Sequence, residues 1–143
     1  MPSMRSGGTA SPDAIELRLH ADHAAPSSAR ASAAKLLERL PADRAGDAEL
    51  LISELVTIAV VHSADEGSDV VLRIADDEAI LRVEVRDAGE WFDAERTTPD
   101  EAARTWGLRL LDRMADRWGV ERREGHTLAW FEIDEGPSLH VIP

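Results

Sequence analysis

Glu54 is the carboxylate whose surroundings most need explaining. At about 100° per residue along a helix, Ala48, Ile52, Leu55, Val56 and Ala59 share one face and can pack on a sheet. Glu54, Ile58 and Val61 lie on another face, at spacings of four and three. A carboxylate beside two branched apolar side chains implies that something covers them. Either the loop Glu90 to Thr105 covers them and Glu54 is solvated at its rim, or this face is the floor of a ligand site or a partner interface. Other chemistry-bearing residue types narrow the field. The chain has no cysteine, which excludes disulfides, iron–sulfur clusters, thiolate zinc sites and cysteine nucleophiles. His20, His23, His62, His126 and His140 lack metal-ligand spacing and read as ordinary surface or partly packed histidines. His62 ends a helix, where the dipole favours its cationic form. Ser27, Ser28 and Ser63 have no histidine–acid arrangement beside them, so capping is their expected role.

Four tryptophans divide into two pairs. Trp118 and Trp130 fall in strand patterns and read as core, whereas Trp91 and Trp106 bracket a loop and could close a site or anchor a partner. Asp112 and Asp116 alternate with Arg109, Arg113 and Arg117, the pattern of a solvated helix face held by exposed ion pairs.

Composition bounds what these residues can serve. The chain has 143 residues, 43% hydrophobic and 31% charged, the profile of one globular domain whose core needs no staples. Sixteen basic residues against 28 acidic ones leave a net charge of −12, which repels nucleic acid and anionic membrane at long range. The apolar-rich stretch Leu50 to Val61 is interrupted by Ser53, Glu54 and Thr57 and is too short to span a bilayer. No signal-peptide core follows Met1, so a cytoplasmic protein is expected, with no direct nucleic-acid or membrane contact.

The elements that must position these residues follow from periodicity. Residues 1–12 read as a flexible tail, 13–134 as one domain and 135–143 as a second tail. Ile15, Leu17 and Leu19 alternate as a strand. Pro26-Ser27-Ser28 starts a first helix with a stripe of Ala31, Ala34, Leu36, Leu37 and Leu40. Asp43 to Asp47 reads as a polar turn, with Asp47 capping a second helix from about Ala48 to Ser63. Val70, Leu72 and Ile74, then Ile80 to Val85, form a hairpin about the turn Ala75-Asp76-Asp77-Glu78. Glu90 to Thr105 reads as a long loop with at most one helical turn. Helical spacing returns from Trp106 or Gly107 to Ala115. Trp118 to Val120 and Thr127 to Ile133 then pair about Glu124-Gly125. Strands segregated from helices predict a two-layer α/β sandwich.

Four stretches, in order, resemble one family. Ser53 to His62, SELVTIAVVH, is similar to the asparagine-box helix of the histidine-kinase-like ATPase superfamily, in its small anti-sigma-factor serine-kinase branch. Leu81 to Gly89, LRVEVRDAG, resembles the strand and first glycine box. Trp106 to Val120, WGLRLLDRMADRWGV, resembles the second glycine box and its helix, and His126 to Glu132, HTLAWFE, the final strand. The resemblance implies a Bergerat-type sandwich, a mixed and mostly antiparallel sheet with helices on one face. It implies ATP and Mg2+ as cofactors and Glu54 as the catalytic base or the residue that orients the magnesium shell. Asp87 would recognise adenine and Gly89 let backbone approach the base. Arg104, Thr105, Gly107 and Leu108 would lie by the phosphates, with Gly107 opening a helix whose free N–H groups attract anions. The implied role is partner switching in transcription, with a sigma factor or an anti-sigma antagonist protein as partner and a homodimer by analogy.

Departures from the family pattern divide that expectation. Ile58 stands where the family places its magnesium-binding asparagine, and isoleucine has no oxygen to offer. Thr105 replaces a glycine two positions before Gly107, and Glu90-Trp91-Phe92 follows the first glycine box. Three readings follow: a serine kinase with weakened nucleotide binding, a nucleotide binder without catalysis, or a pseudo-ATPase that binds proteins alone.

Overall fold

The computed structural model of the chain describes residues 13–20, 22, 24–61, 69–77, 79–87, 101–123 and 126–135. Five strands and three helices make up this part: β1 (Asp13–His20), α1 (Ala25–Leu37), α2 (Ala42–Val61), β2 (Asp69–Asp76), β3 (Ile80–Asp87), α3 (Glu101–Met114), β4 (Arg117–Arg123) and β5 (His126–Asp134). The strands form one sheet in the order β1-β2-β3-β5-β4, antiparallel at every described pairing. The two-layer α/β sandwich expected from the sequence is therefore the observed fold. The described strands contain no parallel pair, where a mixed sheet was expected.

Register explains the core. Ile15, Ile74, Val83, Phe131 and Trp118 lie in one cross-strand row, and Leu17, Leu72, Val85, Ala129 and Val120 in the next. Because side chains alternate along a strand, these rows turn toward the helices, and Leu72, Ile74, Val83, Val85, Ala129 and Phe131 are fully buried. Against them α2 lays Ala48, Leu51, Ile52, Leu55, Val56 and Ala59. The sheet's other face is charged and open.

Several boundaries differ from the sequence reading for identifiable reasons. The buried stripe of α1 is Ala25, Ala29, Ala33 and Leu37, while Ala31 and Ala34 are exposed. Alanines on both sides of that helix hide its phase. Asp43 to Asp47 is helix, not turn. The Pro41 carbonyl already accepts a hydrogen bond from Ala45 N (2.8 Å), so α2 starts six residues early and Asp47 is no cap. Arg44 supports this first stretch, pairing with Asp47 at 3.1 Å and with Asp116 at 2.7 Å and donating to the Met114 carbonyl at 2.9 Å. Asp76 belongs to β2, buried and paired with Arg39. Glu101 to Thr105 begins α3, where a loop was expected.

Residues 1–12 and 136–143, the Glu124-Gly125 turn, His62, Ser63, Gly89, Glu90, Trp91 and the rest of 88–100 lie outside the described residues. No described helix is long and apolar enough to cross a membrane.

Candidate functional site

Helix α2 carries the first two residues of the site. Its sheet-facing stripe fixes its rotation, and this leaves Glu54 half-buried on the flank. Among the described residues the Glu54 carboxylate has neither an ion pair nor a hydrogen bond. Its neighbour Ser53 is engaged, accepting from Arg30 Nη1 at 2.6 Å, and Thr57 Oγ1 donates back to the Ser53 carbonyl at 2.7 Å. One turn on, Ile58 is 3% exposed. Helix α3 contributes to its cover, while residues 88–100 of the loop expected there lie outside the described residues.

On α3 the residue against Ile58 is Gly107. A Cβ built on Gly107 would stand 2.5 Å from Ile58 Cδ1 and 3.8 Å from Cγ1, so the absent side chain is what lets the isoleucine seat against the α3 backbone. Gly107 was expected to open a helix with unpaired amides. It is instead the seventh residue of α3, where interior N–H groups are committed to carbonyls four residues back. Arg104 and Thr105 belong to the turns before it, and their side chains lie outside the described residues. Leu108 is half-buried and packs on the core.

At the end of β3, Asp87 is 2% exposed and sits opposite Thr127 of β5, itself 1% exposed. A buried carboxylate and a buried hydroxyl thus stand opposite one another at a sheet end, at a place where hydrocarbon is the default. Thr127 was missed in the sequence. The available signal was its phase, since Thr127, Ala129, Phe131 and Ile133 alternate on one side of the strand, and a hydroxyl heads an otherwise apolar series.

These residues fit one end of a metal-bound nucleotide and not the other. Asp87 and Thr127 have the acceptor chemistry that a heterocycle's amino group would require, as the resemblance implies for Asp87. Ile58 brings hydrocarbon to the α2–α3 seam and closes it against Gly107, where magnesium would require oxygen ligands and water. No cluster of three or more histidine, aspartate or glutamate residues able to hold a metal occurs among the described residues.

A second group of carboxyls lies at the far end of the sheet. Asp76 and Asp87 are at opposite ends of the sheet, since Asp76 pairs with Leu81, six residues and about 20 Å along β3 from Asp87. There Arg39 Nη1 pairs with the fully buried Asp76 carboxylate at 3.1 Å. Burial, then a hydrogen bond to Asp76 and the charges of Asp76 and Asp77, push Glu135 up to about 7, with Arg39 opposing. On the open face Arg117, then Arg82, hydrogen-bond Glu132 and hold its carboxyl below the usual range against the effect of burial. Arg82 also stacks over Trp130, 4.4 Å from the ring centroid. Trp130 therefore belongs to the open face, contrary to expectation, while Trp118 packs on the core as expected.

Comparisons with known proteins place this arrangement. The sequence matches no curated protein. Among solved structures, the chain is similar to the RsbU and RsbW domains of Rv1364c from Mycobacterium tuberculosis, with a TM-score of 0.67 and 21% identity. That match covers 88% of this chain and 34% of the other, so the chain spans about a third of that protein's length. The likeness shows the fold. The family model described as histidine kinase-like ATPase domain matches residues 19–132, most of the chain. The chain belongs to the histidine kinase-like ATPase domain family.

Proposed function

We propose that this chain is an anti-sigma-type regulator of the partner-switching kind, one that works by binding a sigma factor or an anti-sigma antagonist protein, with its nucleotide site reduced to the adenine-recognising end. The observation that carries the reading is the contact of Ile58 with Gly107. Hydrocarbon there removes a metal ligand and fills the room beside α3, while the scaffold, the sheet and the Asp87–Thr127 end persist. The structural likeness to a protein with an RsbW domain supports the regulatory part of the reading. The test is capture of partners from the native host on tagged full-length chain, once with ATP and magnesium and once after enzymatic removal of nucleotide. Equal recovery of a sigma factor or its antagonist under both conditions is expected. Capture that depends on nucleotide, or of neither class of protein, contradicts the reading.

A second reading rests on Glu54. A half-buried carboxylate with no ion-pair or hydrogen-bond partner among the described residues is available as a proton acceptor. In a serine kinase it would serve as the base. Phosphoserine on the captured partner, lost in Glu54→Gln, supports this alternative, and its absence removes it.

A further inference from the structure

The face of α3 turned away from the core has lost the ion pairs its sequence promises. Spacings of three would join Arg109 to Asp112 and Arg113 to Asp116. Neither pair forms. Asp116 is taken by Arg44 at 2.7 Å and by the Asp134 backbone N–H at 2.7 Å, and Asp112 accepts from Trp118 Nε1 at 3.4 Å. Arg109 and Arg113 are left exposed, with no ion pair or hydrogen bond among the described residues.

Most of the arginines whose side chains are described are engaged. Arg18, Arg30, Arg39, Arg44, Arg82 and Arg117 are all in ion pairs. Arg73 and Arg86 are also without an ion pair among the described residues, but they line a shallow depression of the open face together with Glu16 and Glu84. On α3 the two uncompensated arginines are joined by Trp106, a large hydrophobic residue 53% exposed to solvent. At about 100° per residue, Trp106, Arg113 and Arg109 fall within about 60° of arc, on one flank of the helix beside buried Leu110. An indole flanked by two guanidinium groups combines the residue types that anchor protein interfaces.

We propose that the Trp106–Arg109–Arg113 flank of α3 is a docking surface for an acidic, partly apolar segment of a partner protein. The choice of occupant rests on charge: Arg109 and Arg113, neither in an ion pair among the described residues, stand on one flank of a chain of net charge −12, so carboxylates are attracted to this strip and repelled by the net charge of the whole. The aromatic ring takes up the apolar part of the segment. The proposal deepens the protein-binding reading above and rests on it, because it names the partner's chemistry.

The test titrates the full-length chain with two synthetic helical peptides that share one leucine stripe, the first with glutamates beside it and the second with lysines. Indole N–H signals and heat are recorded. The acidic peptide is expected to bind and to shift the Trp106 indole signal selectively. Arg109→Glu with Arg113→Glu should lower its affinity about tenfold or more, and so should Trp106→Ala. All three positions are exposed, so the fold survives, which an unchanged melting temperature verifies. Equal binding of the two peptides, no binding of the acidic one, or indifference to the double reversal overturns the proposal. Sedimentation showing that the flank pairs two copies of this chain also overturns it. Success with the peptide and failure to capture a sigma factor or antagonist would separate this surface from the functional reading. Capture unaffected by the double reversal would do the converse.

Discussion

Ile58 Cδ1 occupies the space that a side chain on residue 107 would need, 2.5 Å from the Cβ position. Helix α2 thus meets the α3 backbone at Gly107 through a hydrocarbon branch. The other end of α3 is held differently, by Arg44 on the Met114 carbonyl. Truncating Ile58 removes buried methyl groups from a tight seam. Ile58→Ala should therefore cost about 2–5 kcal/mol in denaturant unfolding. A loss under about 0.5 kcal/mol, the range of surface substitutions, would mean that the seam is not packed as described.

Gly107 offers a sign test of the same contact. Alanine in a helix interior is favoured over glycine by about 1 kcal/mol, but here its Cβ meets Ile58, whose terminal methyl must shift at an overpacking cost of about 1–3 kcal/mol. Gly107→Ala is expected to be neutral to destabilising in the native chain and stabilising by about 1 kcal/mol in the Ile58→Ala background. Equilibrium unfolding of the four proteins in that cycle gives the coupling directly. Additive effects would show that the two residues do not touch.

How much of this was legible in the sequence depends on what each element displays. An alternating strand such as Ile80–Asp87 declares its buried side, because Leu81, Val83 and Val85 alternate with Arg82, Glu84 and Arg86, whereas His126–Asp134 hides it, with Leu128 and Trp130 on the open face and Thr127 and Ala129 on the buried one. Helix α1 does not, since alanine occupies its exposed and buried positions alike. The early start of α2 was hidden because Asp43 to Asp47 looks like a polar turn, while Arg44 finds its partners 70 and 72 residues away. Glu54 and Ile58 could be picked out by residue type and helical spacing, and Asp87 by the family resemblance. The meeting of Ile58 with Gly107 could not, because two helices distant in sequence create it. The ion pairs expected along α3 failed for the same reason: Asp112 and Asp116 found partners in tertiary structure.

The Asp76–Glu135 pair makes stability depend on pH. Burial raises Glu135 to about 7 from about 4.5, so the folded chain binds a proton there that the unfolded chain releases. The contribution is full below about pH 4.5 and is lost as pH rises to about 7. Glu135→Gln mimics the protonated form. Its melting temperature relative to the native chain should rise across that window and level off above it. Parallel melting curves from pH 4.5 to 8 would show that Glu135 titrates normally.

Gly119 is held open by the indole of Trp130. A Cβ there would stand 2.7 Å from Nε1 and 2.9 Å from Cε2 and Cζ2, ring atoms that cannot bend aside individually. Trp130 is also stacked under Arg82, which Glu84 and Glu132 hold in place. Gly119→Ala is expected to destabilise by about 1–3 kcal/mol and to change the near-ultraviolet circular dichroism of the tryptophans. Gly119→Ala in Trp130→Leu should regain most of the loss. Failure of that rescue would locate the damage in the β4 backbone instead.

The central claim is that hydrocarbon at position 58 closes the metal and phosphate end of the site while the Asp87–Thr127 end remains. Calorimetric titration of the native chain with ATP, with and without magnesium, tests this most directly, with Ile58→Asn run alongside. The account predicts no gain in affinity from magnesium for the native chain and a magnesium-dependent gain for Ile58→Asn. Magnesium tightening ATP binding to the unaltered chain by about tenfold or more, about 1.4 kcal/mol, would contradict it.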